Sequence, residues 1–118
     1  MLITRAPVRI SLAGGGTDLP AYYEAFGGAV LSTTIDKYFY VILNVCEHDR
    51  LQISSSDYRT FYLHEASEPL LWDGDLRLPR AILSYFGIEH GISMFLASEV
   101  PPGTGLGSSG AVAAAIVK

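Results

Sequence analysis

Between an apolar run, Ile92 to Ala97, and an alanine-rich run, Ala111 to Val117, lies an uncharged stretch: Pro101-Pro102-Gly103-Thr104-Gly105-Leu106-Gly107-Ser108-Ser109-Gly110-Ala111. Glycines let main-chain N–H groups approach a ligand that a Cβ would hold away. A helix starting at Ser108 would add unsatisfied N–H donors and a partial positive charge. An anion, most often a phosphate, is what such a place holds. Three phosphate-loop patterns compete. The P-loop, G-x-x-x-x-G-K-[ST], fails because no Lys follows the last glycine. The dinucleotide fingerprint G-x-G-x-x-G is met literally by Gly105-Leu106-Gly107-Ser108-Ser109-Gly110. That fingerprint joins the first strand of a βαβ unit to its helix, and here several strands come first. The third pattern is a Gly-Ser loop whose hydroxyls stand at a helix start, where one can bond a phosphate or ligate Mg²⁺, a hard ion that prefers oxygen. The plain alternative is a turn with a serine capping the helix, but the serines and glycines here exceed what a turn requires.

A nucleophilic serine fits poorly, because Gly107-Ser108-Ser109-Gly110 lacks the G-x-S-x-G spacing. His48, His64 and His90 show no paired metal-ligand spacing and are expected in loops or on the surface. A second constellation lies near the N-terminus, Arg5-Ala6-Pro7-Val8-Arg9-Ile10-Ser11-Leu12-Ala13-Gly14-Gly15-Gly16-Thr17-Asp18-Leu19-Pro20. It reads as a strand carrying Arg9 into a glycine loop that ends at Asp18. Taken alone it is equally a β-turn whose Asp accepts local N–H groups.

The elements that must position these loops follow from patterning. Leu2 to Ala6 and Val8 to Ala13 read as strands split by Pro7, with Val8, Ile10 and Leu12 on one face and Arg9 and Ser11 on the other. Pro20 to Phe26 predicts a short helix with Pro at its start, closed by Gly27-Gly28. Ala29 to Ile35 and Tyr38 to Cys46 predict two strands with a tight link at Asp36-Lys37. Leu51 to Ser54 and Thr60 to His64 predict a hairpin around Ser55-Ser56-Asp57. Glu65 to Gly74 reads as a polar connection, and the acids Asp73 and Asp75 as solvated loop residues. Leu76 to Phe86 predicts a helix with Leu76, Ala81, Leu83 and Tyr85 or Phe86 facing inward, ended by Gly87. Gly91 to Ser98 predicts a strand, and Ser108 opens the last helix. That order implies an α+β domain with helices on one face of a mixed, mainly antiparallel sheet. The final helix is apolar all round and has no stop signal. The expectation is a helix interior to a larger domain; the alternative is a small domain ending on that helix.

The bulk numbers exclude several classes. At 118 residues, 49% hydrophobic and 17% charged, the chain has enough material for one core. A net charge of −4 without any Lys/Arg cluster gives no footprint for nucleic acid. Its wholly apolar runs are too short for a membrane span. The single cysteine, Cys46, rules out an internal disulfide and fits a reducing cytoplasm; a buried structural thiol is its default reading.

Together the two loops resemble the motifs of the galactokinase, homoserine kinase, mevalonate kinase and phosphomevalonate kinase (GHMP) superfamily. Ala6 through Asp18 is similar to its first motif, and Pro101 through Ala111 to its P-P-x-x-x-L-G-S-S-A-like second. The form R-A-P-x-R-I-S-x-x-G-G-G-T-D-L looks most like sugar kinases acting on D-glycero-D-manno-heptose 7-phosphate and their fucokinase relatives. Galactokinases carry Glu-His where this chain has Gly15-Gly16, and the family usually has Ala at the place of Gly110. The resemblance implies ATP-dependent phosphoryl transfer to a sugar or sugar-phosphate hydroxyl, by residues 1–118 as an incomplete N-terminal ATP-binding domain. It implies a phosphate cradle of Pro102, Gly103, Thr104, Gly105, Leu106, Gly107, Ser108 and Ser109, with Ser109 as the Mg²⁺ ligand. It implies Arg9 beside the transferring phosphate, and a sugar-binding segment of Gly15, Gly16, Thr17 and Asp18. The family's acidic Mg²⁺ ligand and catalytic Asp would lie beyond residue 118. Expected partners are a small sugar or sugar phosphate, with no nucleic acid and no membrane; a homodimer is a compatible assembly. A dinucleotide (NAD)-binding oxidoreductase fragment and a non-catalytic nucleotide-binding module are the alternatives.

Overall fold

The computed structural model describes residues 1–65 and 73–118; most of the predicted polar connection Glu65 to Gly74 therefore lies outside the described residues. The elements are β1 (Leu2–Ala13), α1 (Pro20–Phe26), β2 (Leu31–Val45), β3 (Arg50–Ser55), β4 (Thr60–Glu65), α2 (Arg77–Tyr85), β5 (Ile92–Ser98) and α3 (Ser108–Val117). The strands form one sheet in the order β1-β2-β5-β3-β4. Every neighbouring pair is antiparallel except β3 with β5, so the expected mixed, mainly antiparallel α+β architecture is present. A dinucleotide fold carries its glycine loop on the turn after the first strand of a parallel βαβ unit. The antiparallel β1-β2 and β2-β5 pairs do not provide that setting.

Pro7 does not divide the first strand. β1 runs through it, with a register shift between Pro7 and Arg9, where Pro7 faces Tyr38 and Arg9 faces Thr34. The partner strand absorbs the same irregularity. Asp36-Lys37 is therefore a bulge within one long β2 and not the link between two strands. Proline is tolerated here because β1 is an edge strand, where a missing N–H breaks no ladder on the open side.

The core lies between the sheet and helices α2 and α3. Val8, Phe39, Val41, Met94, Leu96, Leu51 and Ile53 come from four strands and are nearly or fully buried. Ala111 and Ala115 of α3 are buried against them, and the Thr4 hydroxyl donates to the Ala115 carbonyl at 2.5 Å. Small side chains on that face let α3 lie close to β1, which sets its N-terminus beside Arg9. The opposite side of α3, with Ala114 and Val117, is exposed.

Helix α2 corrects the predicted inward face. Leu76, Pro79, Arg80 and Leu83 are buried, whereas Ala81, Tyr85 and Phe86 are exposed. The buried set is still a helical stripe at i, i+3, i+4 and i+7. An arginine belongs to it because its guanidinium is used: Nε donates to the Leu76 carbonyl at 3.1 Å, Nη2 donates to the Asp73 carbonyl, and Cζ lies 4.4 Å from the Tyr62 ring centre. His64 is a second correction. It is buried on β4 and stacked on Tyr62, with ring centres 6.3 Å apart, because an aromatic pair on the covered face outweighs its polarity. His48 is exposed, and His90 is exposed beside Asp49 at 2.7 Å. Cys46 is half-buried, not enclosed.

Candidate active site

The Gly-Ser loop runs from β5 to α3 and ends in Gly107, whose φ of 76° is left-handed. Gly107, not a serine, is the N-cap, and no side chain bonds the first turn of the helix. Ser108 and Ser109 are thus the first helical residues, with hydroxyls left for other uses. Among the described residues, the amides of Gly105 through Gly110 donate to no main-chain carbonyl, and the first amide of the helix to do so is that of Ala111, to Gly107. These are the orphan donors of a helix start, gathered on a loop that glycine keeps open.

Arg9 joins this loop to β1. Its N–H donates to the Leu106 carbonyl at 2.9 Å, and a Cβ built on Gly107 would stand 3.1 Å from Cγ, Cζ and Nη1 of Arg9. The side chain therefore lies along the glycine. The register shift before Arg9 allows this: a bulge re-aims the following side chain, so Val8 stays in the core while Arg9 still reaches the loop. Among the described residues Arg9 forms no ion pair, so its charge is uncommitted.

Two hollows flank the start of α3, and Ser109 borders both. One, of about 190 Å³, is walled mainly by apolar side chains, among them Phe39, Leu76, Pro79, Leu96 and Val112, and also meets Pro102 and Ser108. The other, of about 430 Å³, is bordered by Arg9, Ser32, Thr34, Gly107 and Gly110 and carries no carboxylate. Gly103, Thr104 and Gly105 are exposed and border neither, and the Thr104 hydroxyl donates to the Pro101 carbonyl at 3.1 Å.

The N-terminal loop stands apart. Thr17 and Asp18 border a third hollow with Tyr23, Gly28, Ala29 and Val30, whereas Gly15 and Gly16 border none of the three. Asp18 Oδ1 accepts from the Gly16 N–H at 3.0 Å, and the Thr17 hydroxyl sits within 3.0 Å of the Gly14 and Ala29 carbonyls and accepts from the Ala29 N–H. Sequence reasoning overlooked Gly14 and Gly28 as the glycines sterically required here. A Cβ on Gly14 would meet the Ala29 oxygen at 1.9 Å, and one on Gly28 the Thr17 oxygen at 2.0 Å.

This arrangement meets known proteins along nearly its whole length. Residues 76–118 match the model of the GHMP kinases N terminal domain. The chain is 32% identical, over 98% of its length, to a D-glycero-alpha-D-manno-heptose 7-phosphate kinase of Campylobacter jejuni. The chain belongs to the GHMP kinase family. A solved D-glycero-D-manno-heptose 1-phosphate kinase from Bacteroides thetaiotaomicron superposes with a TM-score of 0.85 at 28% identity, covering 99% of the chain. An L-fucokinase/L-fucose-1-P guanylyltransferase of Bacteroides fragilis is 27% identical over 96% of the chain. The chain spans 35%, 40% and 15% of those three proteins respectively. In this GHMP chain, no helix among the described residues is long and apolar enough to cross a membrane.

The apolar hollow of this GHMP chain also holds Asp57, Tyr58 and Asp75, none singled out as site residues from the sequence. Burial pushes the Asp57 carboxyl above its ordinary value of 3.8, against the opposing pull of hydrogen bonds from the Ser98 main chain and Ser56. Its Oδ2 is buried without a hydrogen-bond partner among the described residues. A carboxyl whose folded pKa is raised favours folding while protonated, and that contribution is lost as pH rises through the folded value. Asp57→Asn is therefore expected to melt above the parent at pH 7, with the gap closing as pH falls below 3.8. Melting curves across pH 3 to 7 check it, and a gap that widens toward acid would contradict the sign.

Proposed function

We propose that residues 1–118 act as the ATP-binding N-terminal domain of a sugar kinase that phosphorylates a hydroxyl of a sugar or sugar phosphate, with heptose 7-phosphate the first acceptor to test. The observation that carries this reading is the position of Ser109 between a hollow walled by large apolar side chains and a second one bordered by Arg9, Ser32 and Thr34. A nucleoside suits the first, an oxygen-rich acceptor the second, and the phosphoryl group passes between them at the start of α3. The heptose phosphate kinases among the relatives support the same acceptor class.

In this reading the free amides of Gly105 through Gly110 hold the nucleotide phosphates, aided by the partial positive charge of α3. The acceptor oxygen attacks the γ-phosphorus as its bond to the ADP oxygen breaks, giving ADP, the phosphorylated sugar and one proton. Such transfers are governed by positioning and charge neutralisation. Arg9 supplies a fixed cation beside the loop, with a planar set of donors matched to phosphate oxygens. Asp18 orients sugar hydroxyls from the third hollow, while Thr17 pins the loop to Gly14 and Ala29 and Gly15 and Gly16 shape it. The donor set at the helix start also fits Mg²⁺. The Ser109 hydroxyl has no protein partner among the described residues, and an oxygen ligand is what that ion takes, with phosphate oxygens and water completing its shell. Bound there, Mg²⁺ neutralises charge on the transferring phosphates.

The test is ADP release from ATP with heptose 7-phosphate by the full-length protein that contains residues 1–118, since these residues alone are expected to be inactive. Ser109→Ala is expected to raise the Mg²⁺ concentration for half-maximal rate about tenfold, the effect of losing one oxygen ligand. An unchanged Mg²⁺ dependence removes Ser109 from the metal. Tighter binding of NAD than of ATP by calorimetry would replace the whole reading with the dinucleotide one.

A further inference from the structure

Several serine and threonine hydroxyls are committed within the fold. Those of Thr4, Thr17, Thr60 and Thr104 donate to main-chain carbonyls, and those of Ser55 and Ser98 accept main-chain N–H groups. Ser32 and Thr34 are different. Both lie on β2 directly across from β1, Ser32 opposite Ser11 and Thr34 opposite Arg9. Both border the hollow that Arg9 lines, and neither side chain makes a hydrogen bond among the described residues. Ser109 closes the same hollow from α3, equally unpartnered. A fixed cation and three free hydroxyls from three separate elements thus converge on one space that contains no carboxylate.

We infer that Ser32 and Thr34 are acceptor-specificity residues, binding the hydroxyl-bearing end of the sugar phosphate next to Arg9. The inference rests on the kinase reading above and adds to it a place for the acceptor that β2 provides. The reason for assigning them to the acceptor and not to ATP is their side of the helix start. The apolar hollow suited to a nucleoside is bordered by Ser108 and Pro102, whereas Ser32 and Thr34 stand on the other side, with Gly107 and Gly110 between. A sugar hydroxyl both donates and accepts, and a serine or threonine hydroxyl can meet it in either direction. A cross-strand pair fixes the spacing of Thr34 to Arg9, so the acceptor oxygen and the cation are held at a set separation by the ladder itself.

The experiment measures binding of D-glycero-D-manno-heptose 7-phosphate and of ATP to the full-length protein containing residues 1–118, by calorimetry. The variants are Thr34→Val and Ser32→Ala. Valine keeps the shape and strand preference of threonine while removing its hydroxyl, so the sheet is expected to stand. Melting curves verify that. Loss of a hydrogen bond to a substrate hydroxyl is expected to weaken sugar-phosphate binding about tenfold in each variant, with ATP affinity held within about twofold. Unchanged sugar-phosphate affinity in both folded variants overturns the inference, as does a loss confined to ATP. If the parent chain binds ATP but no sugar phosphate, the acceptor site is wrong and the nucleotide site survives. If it binds neither, the kinase reading itself falls. Should Thr34→Val fail to fold, Ser32→Ala alone decides, because Ser32 is exposed and its loss burdens no core contact.

Discussion

Gly14→Ala is expected to disorder the N-terminal loop and to lower the melting temperature by more than any other single substitution proposed here. Two costs act at once. Gly14 has φ of 80°, where an L side chain is strained, and the new Cβ would lie 1.9 Å from the Ala29 carbonyl oxygen. Left-handed backbone alone costs about 1–3 kcal/mol for a residue with a side chain. The clash is with main chain, so no rotamer change relieves it, and the segment at Ala29 that leads into β2 must move away from the loop. A total near 3 kcal/mol corresponds to a fall of roughly 12 °C or more in a domain of this size. Gly16→Ala is the control, because its φ of 94° carries similar strain while nothing lies within 4 Å of the added carbon. A melting scan in which Gly14→Ala falls no further than Gly16→Ala would show that the contact with Ala29 is not what demands glycine.

The second large effect concerns rate. Arg9→Ala is expected to lower turnover about 10²–10³-fold, the usual consequence of removing one preorganised group from a developing anion. The fold should survive, since the hydrogen bond that ties β1 to the Gly-Ser loop is made by the Arg9 main chain and not its side chain. Arg9→Lys should recover part of the loss by restoring the charge without the planar fork. Steady-state kinetics of the full-length protein on ATP and a sugar phosphate separate the two contributions. Full activity in Arg9→Ala would take the guanidinium out of the reaction.

The local elements were legible because their signals were local. Proline opening α1 at Pro20, glycine following it at Gly27, and the β3-β4 hairpin around Ser56-Asp57 each rest on neighbours in sequence. The α+β class followed from their order. Long-range pairing was less legible. Pro7 and Asp36-Lys37 look like breaks when read alone, yet Pro7 pairs with Tyr38 and Asp36-Lys37 fall in the register shift that follows it, so one irregularity in the ladder adjoins both. Burial of polar groups was the other blind spot. Nothing beside Arg80 in the sequence announces that the carbonyls of Asp73 and Leu76 and the ring of Tyr62 await it. The site divides in the same way. Pro102, Gly107, Ser108, Ser109 and Arg9 were readable from glycine spacing and motif resemblance, and the structure gathers them around the start of α3. Ser32 and Thr34 carry no motif, and only the strand register brings them to Arg9.

The sheet order has a bearing on how the chain acquires its shape. β5, the last strand in sequence, lies in the middle, between β2 and β3. Two antiparallel pairs, β1 with β2 and β3 with β4, can close early, but each keeps a bare edge until residues 92–98 slot between them. Synthesis from the N-terminus therefore leaves two unzipped ribbons in the cell until that wedge emerges, and joining them is a non-local step of the kind that slows folding and invites misassociation. The Gly-Ser loop follows the wedge directly, so the anion cradle is formed only after the two halves have been sewn together.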